Sequence, residues 1–375
     1  MTRFKLFAGL LLLLTTSQDT WARAWNSSEA MADAARELLE TLEPEQREAA
    51  HFPFDAVERG TWSNLPILAV PPSGVLLKDM NDDQRKATQA LLRASLSSQG
   101  YAKFTGIMRL EDRLYELGAA RLESIPEDER TPRQVALVAT RDPNHYAVAL
   151  FGEPGAPRWG WKLVGHHAAA NFTVDEGRVA FTPTFLGSSP RVIETGPYAG
   201  MAVLPQEGDR GMELMASLTA AQQEKARVAE ERGDGMMAGP GRQASLLEVE
   251  GLAAGELDGV QKKLLRVLVE EYVRNADFDA ADAQLAAIEA AGWDALRFSW
   301  RGPVAPDGPF YYRIHGPRLL IEYDRVSENH DHAIVRDPVN DYGADWLGQH
   351  LQEYHPSPEE IRAGMQQRLG VAEPD

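Results

Sequence analysis

The chain has 375 residues, of which 43% are hydrophobic and 25% are charged, and its formal net charge is −18. This length exceeds the usual size of one domain and predicts two lobes. The acidic charge argues against nucleic acid or an anionic membrane surface as a partner, because both attract basic proteins. The chain has no cysteine, which excludes disulfides, thiolate metal ligands and catalysis by a thiol.

The N-terminus has the pattern of a cleavable signal peptide. Two basic residues precede an apolar run over residues 6–14, and small residues near Ala22 or Ala24 offer a cleavage site. The apolar run is too short to span a bilayer as a helix. We therefore expect residues 1–24 to be removed and the mature protein to be secreted or periplasmic, without stable insertion in a membrane.

The mature chain begins with helical patterns and continues with strand patterns. Ser28 starts a first helix, Pro44 lies in the first turn of a second, and Asn81 caps a third. A fourth helix is predicted from residue 101 to Leu117, with Gly118 as its stop. Short apolar runs between glycines and prolines then predict strands at residues 146–151, 159–164, 168–174 and 179–185.

The same order of patterns recurs in the second part of the chain. Gly165 corresponds to Gly316, an offset of 151 residues (316 − 165), and Leu42 corresponds to Leu218, an offset of 176 (218 − 42). Several matches in one order indicate an internal duplication, and such a period changes the expected fold. The strands of this second part are predicted at residues 295–300, 310–314, 319–324 and 332–336.

The expected fold is therefore α+β and consists of two tandem, pseudo-repeated halves. The halves cover residues 25–204 and 205–375, and each has a helical segment followed by short antiparallel strands. Neither half has a large core of its own, so we expect them to pack together as one compact unit with a binding site at their interface.

Histidines provide the candidate site. His330 and His332 are two residues apart, so on one strand their side chains would point to the same face and could bind one ion. Glu322 on the preceding strand would complete a set of two histidines and one carboxylate, which suits a divalent transition metal such as zinc, copper or iron. A turn that carries solvated histidines is the alternative interpretation.

The first half carries its own histidine pair, His166 and His167. Neighbours on a strand face opposite ways, so at most one of the two should join a shared site, as a third ligand or as a general base. Hydrogen bonding in the core is the alternative for both residues. Arg336, after the second cluster, would orient an anionic group of a substrate.

Two classes of function are compatible with these residues. The first is a metal-dependent hydrolase or oxidase with its metal between the two halves. The second is a non-enzymatic exported protein that binds a sugar or a peptide on a platform of aromatic rings. Aromatic residues repeated in both halves are more often core packing. The rings concerned are those of Trp159, Trp161, Tyr311 and Tyr312.

Four motifs carry a resemblance to a known family. They are Trp159-Gly-Trp-Lys-Leu-Val-Gly-His-His167, Thr182-Pro-Thr-Phe-Leu-Gly187, His330-x-His332 and Arg336-Asp-Pro-x-Asn-Asp-Tyr-Gly343. Together they resemble an uncharacterised family of bacterial proteins, the domain of unknown function DUF 3500, over nearly the whole mature chain. The resemblance implies that the histidine motifs are features of this protein type, and it implies no activity, substrate or cofactor.

Overall fold

The secondary structure follows from a computed structural model. It describes residues 26–67, 69–233, 235–241, 249–305 and 308–344. The predicted signal peptide lies outside the described residues. No helix in the described part is both long and apolar enough to cross a membrane.

Helices occupy the first part of each predicted half. Polar residues cap most of them: Asn81 accepts hydrogen bonds from the backbone of the helix that it precedes, as predicted. Gly118 does not end its helix as predicted; a Cβ at this position would lie 3.0 Å from Val138 on the next helix, so the glycine serves close packing. The described helices are α1 (Ser27–Thr41), α2 (Pro44–Ala50), α3 (Asp82–Ser95), α4 (Ser98–Glu123), α5 (Pro132–Ala139), α6 (Pro205–Ser217), α7 (Ala220–Ala226), α8 (Gly259–Val273) and α9 (Phe278–Ala291).

The strands form one 13-stranded mixed sheet that continues from one predicted half into the other. They are β1 (His51–Phe52), β2 (Val75–Leu76), β3 (Tyr146–Phe151), β4 (Arg158–Gly165), β5 (Ala168–Asp175), β6 (Arg178–Ala180), β7 (Thr184–Ser188), β8 (Arg227–Ala229), β9 (Leu252–Ala253), β10 (Arg297–Arg301), β11 (Phe310–Gly316), β12 (Leu319–Ser327) and β13 (His330–Arg336). Helices and a large sheet confirm the α+β class.

The order of the strands is the same when it is followed from either edge of the sheet. The path runs β1-β3-β4-β5-β7-β13-β12-β11-β10-β8. At each end, an outer strand is parallel to its neighbour, and the pairs between them are antiparallel. In the central pair of strands, Thr184 faces Val335. These two residues are 151 positions apart (335 − 184), which is the offset found in the sequence.

The two long hairpins have the same register. Lys162 of β4 faces Asn171 of β5, and Arg313 of β11 faces Glu322 of β12. Both pairs are related by 151 residues (313 − 162 and 322 − 171). The corresponding positions of the two sequences therefore occupy corresponding positions in the sheet.

Both faces of the sheet are covered, which explains why the central strands are buried along their whole length. The helices cover one face and form the large hydrophobic core with it. On the other face a smaller cluster includes Trp62, Phe185 and Ala238. The aromatic rings proposed as a sugar platform are at most 1% exposed. The platform interpretation is therefore wrong, and the core interpretation is confirmed.

Candidate metal centre

The first histidine pair lies in a turn. His166 and His167 form the two-residue connection between β4 and β5. The φ of His167 is 62°, a left-handed conformation that is uncommon outside glycine. The two rings stack with their centroids 3.7 Å apart. The prediction that the two side chains point apart is wrong, because a tight turn lacks the alternation of a strand.

The second pair lies at the start of β13, and the sheet brings it to the first pair. His330 and His332 are on one face of the strand, as predicted, with ring centroids 4.4 Å apart. Gly187 of β7 faces His332, and its N–H donates to the carbonyl of His167. A Cβ at Gly187 would lie 2.9 Å from the ring of His167 and 3.0 Å from that of His332. The glycine therefore makes room for both imidazoles.

Three imidazoles meet at this point. Ligand atoms of His167, His330 and His332 all lie within 4.8 Å of one another. The Nε2 atoms of His167 and His330 are 3.0 Å apart. Two nitrogens that share one zinc ion at about 2.0–2.1 Å can be at most about 4.2 Å apart, so this spacing fits a shared ion. A direct hydrogen bond between the two rings fits it as well.

The third ring decides between these two interpretations. The Nε2 atom of His332 is buried and has no hydrogen-bond partner among the described residues. A buried polar atom without a partner carries a free-energy cost, and an unplaced ion is one of its explanations. A hydrogen bond between His167 and His330 leaves this atom unexplained, whereas an ion bound by all three rings accounts for it.

The protonation state of the cluster also suits a metal. Burial and the neighbouring imidazoles hold the pKa of His332 down to about 3, and burial with the charge of nearby groups lowers that of His330 to about 4. The pKa of His167 is lowered well below its usual range for the same reasons. All three rings are therefore neutral near pH 7, and a metal binds the neutral imidazole.

A second group adjoins the cluster and was missed by the sequence analysis. The carboxylate of Glu111 on α4 contacts Nδ1 of His166, and Arg141 Nη1 lies 2.8 Å from Nε2 of the same ring. Ligand atoms of Glu111, His166 and His167 are also close enough to hold an ion. The guanidinium of Arg141 lies 3.6 Å from the Glu111 carboxylate, however, and its positive charge opposes a cation there.

One sequence signal could have pointed to Glu111. It follows Phe104 by seven residues and Ile107 by four, so it lies on the apolar stripe of α4, where an acidic residue is unusual. Its side chain is accordingly buried.

The structure does not bring Glu322 to the histidines. Its carboxylate accepts hydrogen bonds from the hydroxyl of Tyr311 at 2.5 Å and from the backbone N–H groups of Met237 and Ala238 at 3.2 and 2.8 Å. Burial raises the pKa of Glu322. Because its oxygens bind the segment that crosses this face of the sheet, Glu322 is absent from both groups of potential ligands found in the described part.

Arg336 is also engaged elsewhere. Its Nη1 donates to the carbonyl of Ala238 at 2.8 Å, and its Nε donates to Asp341 at 2.6 Å. The side chain is fully buried. Arg336 therefore clamps two chain segments onto the sheet and does not face the histidine cluster as a free cation.

A cleft of about 550 Å³ opens beside the cluster. His332 forms part of its wall, opposite apolar side chains that include Trp62 and Phe185. Arg232 and Asp324, an ion pair with 2.5 Å between Nη1 and Oδ1, add polar groups to the wall. The cleft has the size of a small-molecule site.

Fold and site together define a protein class: an α+β protein with a wide mixed sheet and a half-buried cluster of histidines beside a cleft. The chain belongs to the family described as a protein of unknown function (DUF3500), whose profile matches residues 25–344. The resemblance drawn from the four motifs is thus confirmed. No curated protein and no solved structure matches the chain significantly.

Proposed function

We propose that this protein binds a divalent transition metal ion through His167, His330 and His332. The observation that carries the proposal is the convergence of three neutral imidazoles around the unpartnered Nε2 atom of His332. This set replaces the predicted one in two respects: Glu322 is not a ligand, and His167 is the third histidine. Imidazole ligands suit zinc, copper and iron.

We further propose an enzymatic role, as a metal-dependent hydrolase or oxidase. A zinc ion would supply a Lewis acid, and copper or iron would supply a redox centre. The support from this chain is the cleft that His332 lines, which brings a small molecule to the same ring. Glu111 and Arg141 hold His166, whose ring stacks on His167, and so fix the orientation of that ligand.

The proposed site also depends on a duplication of the chain. His167 comes from the half that covers residues 25–204, and the other two ligands come from the half that covers residues 205–375. The symmetrical strand order and the common offset of 151 residues support this division. In this proposal, neither half could bind the ion alone.

Export is proposed from the sequence pattern of residues 1–24, which predicts a secreted or periplasmic protein. Mass spectrometry of the protein recovered from its native host would test it. A mature N-terminus directly after Ala22 or Ala24 supports cleavage, and an intact Met1 in the recovered protein contradicts it.

Metal analysis of the full chain, purified without an affinity tag, tests the site. We expect about one equivalent of a transition metal in the wild type and less than about a tenth of that in a His330→Ala/His332→Ala double variant, because each loses a ligand. His315→Val is the matched control. It removes a buried histidine outside the cluster and introduces the residue found at the equivalent position, Val164.

Binding is then measured by titrating the metal-free protein with Zn²⁺, Cu²⁺ and Co²⁺ against a chelator of known affinity. Loss of binding in the double variant and retention in His315→Val would support the site. Equal metal content in all three proteins, or no binding of any of the three ions to the folded wild type, would rule it out.

A further inference from the structure

A second cavity lies between α4 and α5, and it has a volume of about 410 Å³. Its walls are mainly aliphatic. The side chains concerned are Leu114, Leu117, Leu122, Ile125, Leu137 and Val138. A concave, mostly apolar space of this size is typical of a site for a small ligand.

The helix that closes the cavity is lightly packed. No residue of α5 is buried. Leu117 and Leu137, on the two facing helices, are each 45% exposed. Large exposed aliphatic side chains at the mouth of an apolar cavity are costly in water, and they are typical of a surface that a ligand covers.

The polar groups of the cavity are cationic. Arg121 and Arg141 line it, and no aspartate or glutamate does. Arg141 is partly neutralised by Glu111. The guanidinium of Arg121 forms no ion pair with any residue of the described part. A cavity without carboxylates is unusual in a chain of net charge −18, and its charge is complementary to an anion.

We propose that this cavity binds a medium-chain carboxylate, that is an unbranched aliphatic chain with an anionic head group. The aliphatic chain lies among the leucines, and the carboxylate pairs with Arg121 and reaches Arg141. A guanidinium can bind a carboxylate through two parallel hydrogen bonds, which gives the head group a defined position. This proposal is independent of the metal, although Arg141 lies between the cavity and His166.

Isothermal titration of the full-length protein with decanoate, and separately with 1-decanol, tests the proposal. We expect saturable binding of decanoate with a dissociation constant in the micromolar range. Arg121→Gln should weaken binding of decanoate about fivefold, because one partly exposed ion pair is lost, and leave that of decanol unchanged. Leu137→Asp should abolish binding of both, since it puts a carboxylate into the apolar wall.

Arg113→Gln is the control: this residue is also an arginine of α4, but it pairs with Glu116 and does not line the cavity. Arg121 and Leu137 are exposed, so both variants should fold; circular dichroism and metal content check this. The proposal fails if decanoate does not saturate, if decanol binds as tightly as decanoate, or if Arg113→Gln weakens binding as much as Arg121→Gln. It fails too if the wild type dimerises and Leu137→Asp makes it monomeric, which would assign the surface to a second copy.

Discussion

The two long hairpins of the sheet share a backbone arrangement and differ in chemistry. On the side of the helices, each has a stacked aromatic pair: Trp161 with Phe172 in β4–β5, and Tyr312 with Tyr323 in β11–β12. These pairs occupy corresponding positions in the same register. Packing is therefore similar in the two hairpins.

The turns of the hairpins show the difference. The turn of β4–β5 consists of His166 and His167, which join the histidine cluster. In β11–β12 the second turn residue is Arg318, which pairs with the buried Asp337 at 2.9 Å. The same hairpin can thus end in a group of potential metal ligands or in an ion pair. The comparison teaches that the chemistry of this fold resides in its turns and on its second face, and that the helical face provides the common core.

The largest expected effect comes from exchanging the second turn residue in each hairpin for asparagine. His167→Asn should lower metal affinity at least about tenfold, because it removes one imidazole ligand while asparagine tolerates the left-handed conformation. Arg318→Asn, at the equivalent position (318 − 167 = 151), should leave the affinity unchanged. Competition with a chelator measures both affinities.

Thermal unfolding of the metal-free proteins is the control for this pair of variants. Neither should lose its cooperative transition, since both positions lie in a two-residue turn. If Arg318→Asn impairs metal binding as much as His167→Asn, the difference between the two turns would not be the one proposed.

An intermediate effect is expected at position 322, where the second hairpin has glutamate and the first has asparagine at position 171. Glu322→Gln should lower the free energy of unfolding by about 1–3 kcal/mol, because an amide cannot accept all three hydrogen bonds that the carboxylate accepts. Urea denaturation measures this loss. Metal content should stay that of the wild type; a loss of the ion would restore Glu322 as a ligand.

The smallest effect tests whether the helical parts are also equivalent. Gln46 accepts from the N–H of Glu43 and donates to Asp79, and Gln222 accepts from the N–H of Thr219 and donates to Glu256. Gln46→Ala and Gln222→Ala should each cost about 1 kcal/mol, since each removes half of a capping box. Urea denaturation of both variants should give losses equal to within about 0.5 kcal/mol. Clearly unequal losses would restrict the likeness of the halves to the sheet.

The sequence predicted the class of the fold well, because periodicity and turn residues are local signals. The offset of 151 residues, read from matches such as Gly165 with Gly316, is the separation that the sheet register keeps. The same information placed His330 and His332 on one face of a strand, which is correct.

The composition of the site was less predictable, because it depends on contacts between distant residues. His167 was expected on a strand, and its position in the turn depends on where the pairing of β4 with β5 ends. Glu322 looked like a free carboxylate, since nothing local shows that the N–H groups of Met237 and Ala238 reach it. Glu111 comes from a helix far away in the chain.

The ends of the sheet have a consequence for the behaviour of the protein in solution. A sheet of this width has two open edges, and an exposed edge strand can pair with another molecule. In the described part, the outer strands β1 and β8 contain only two and three residues. Such short strands leave few backbone groups on which a second chain could assemble, and we expect them to protect the protein from edge-to-edge aggregation at high concentration.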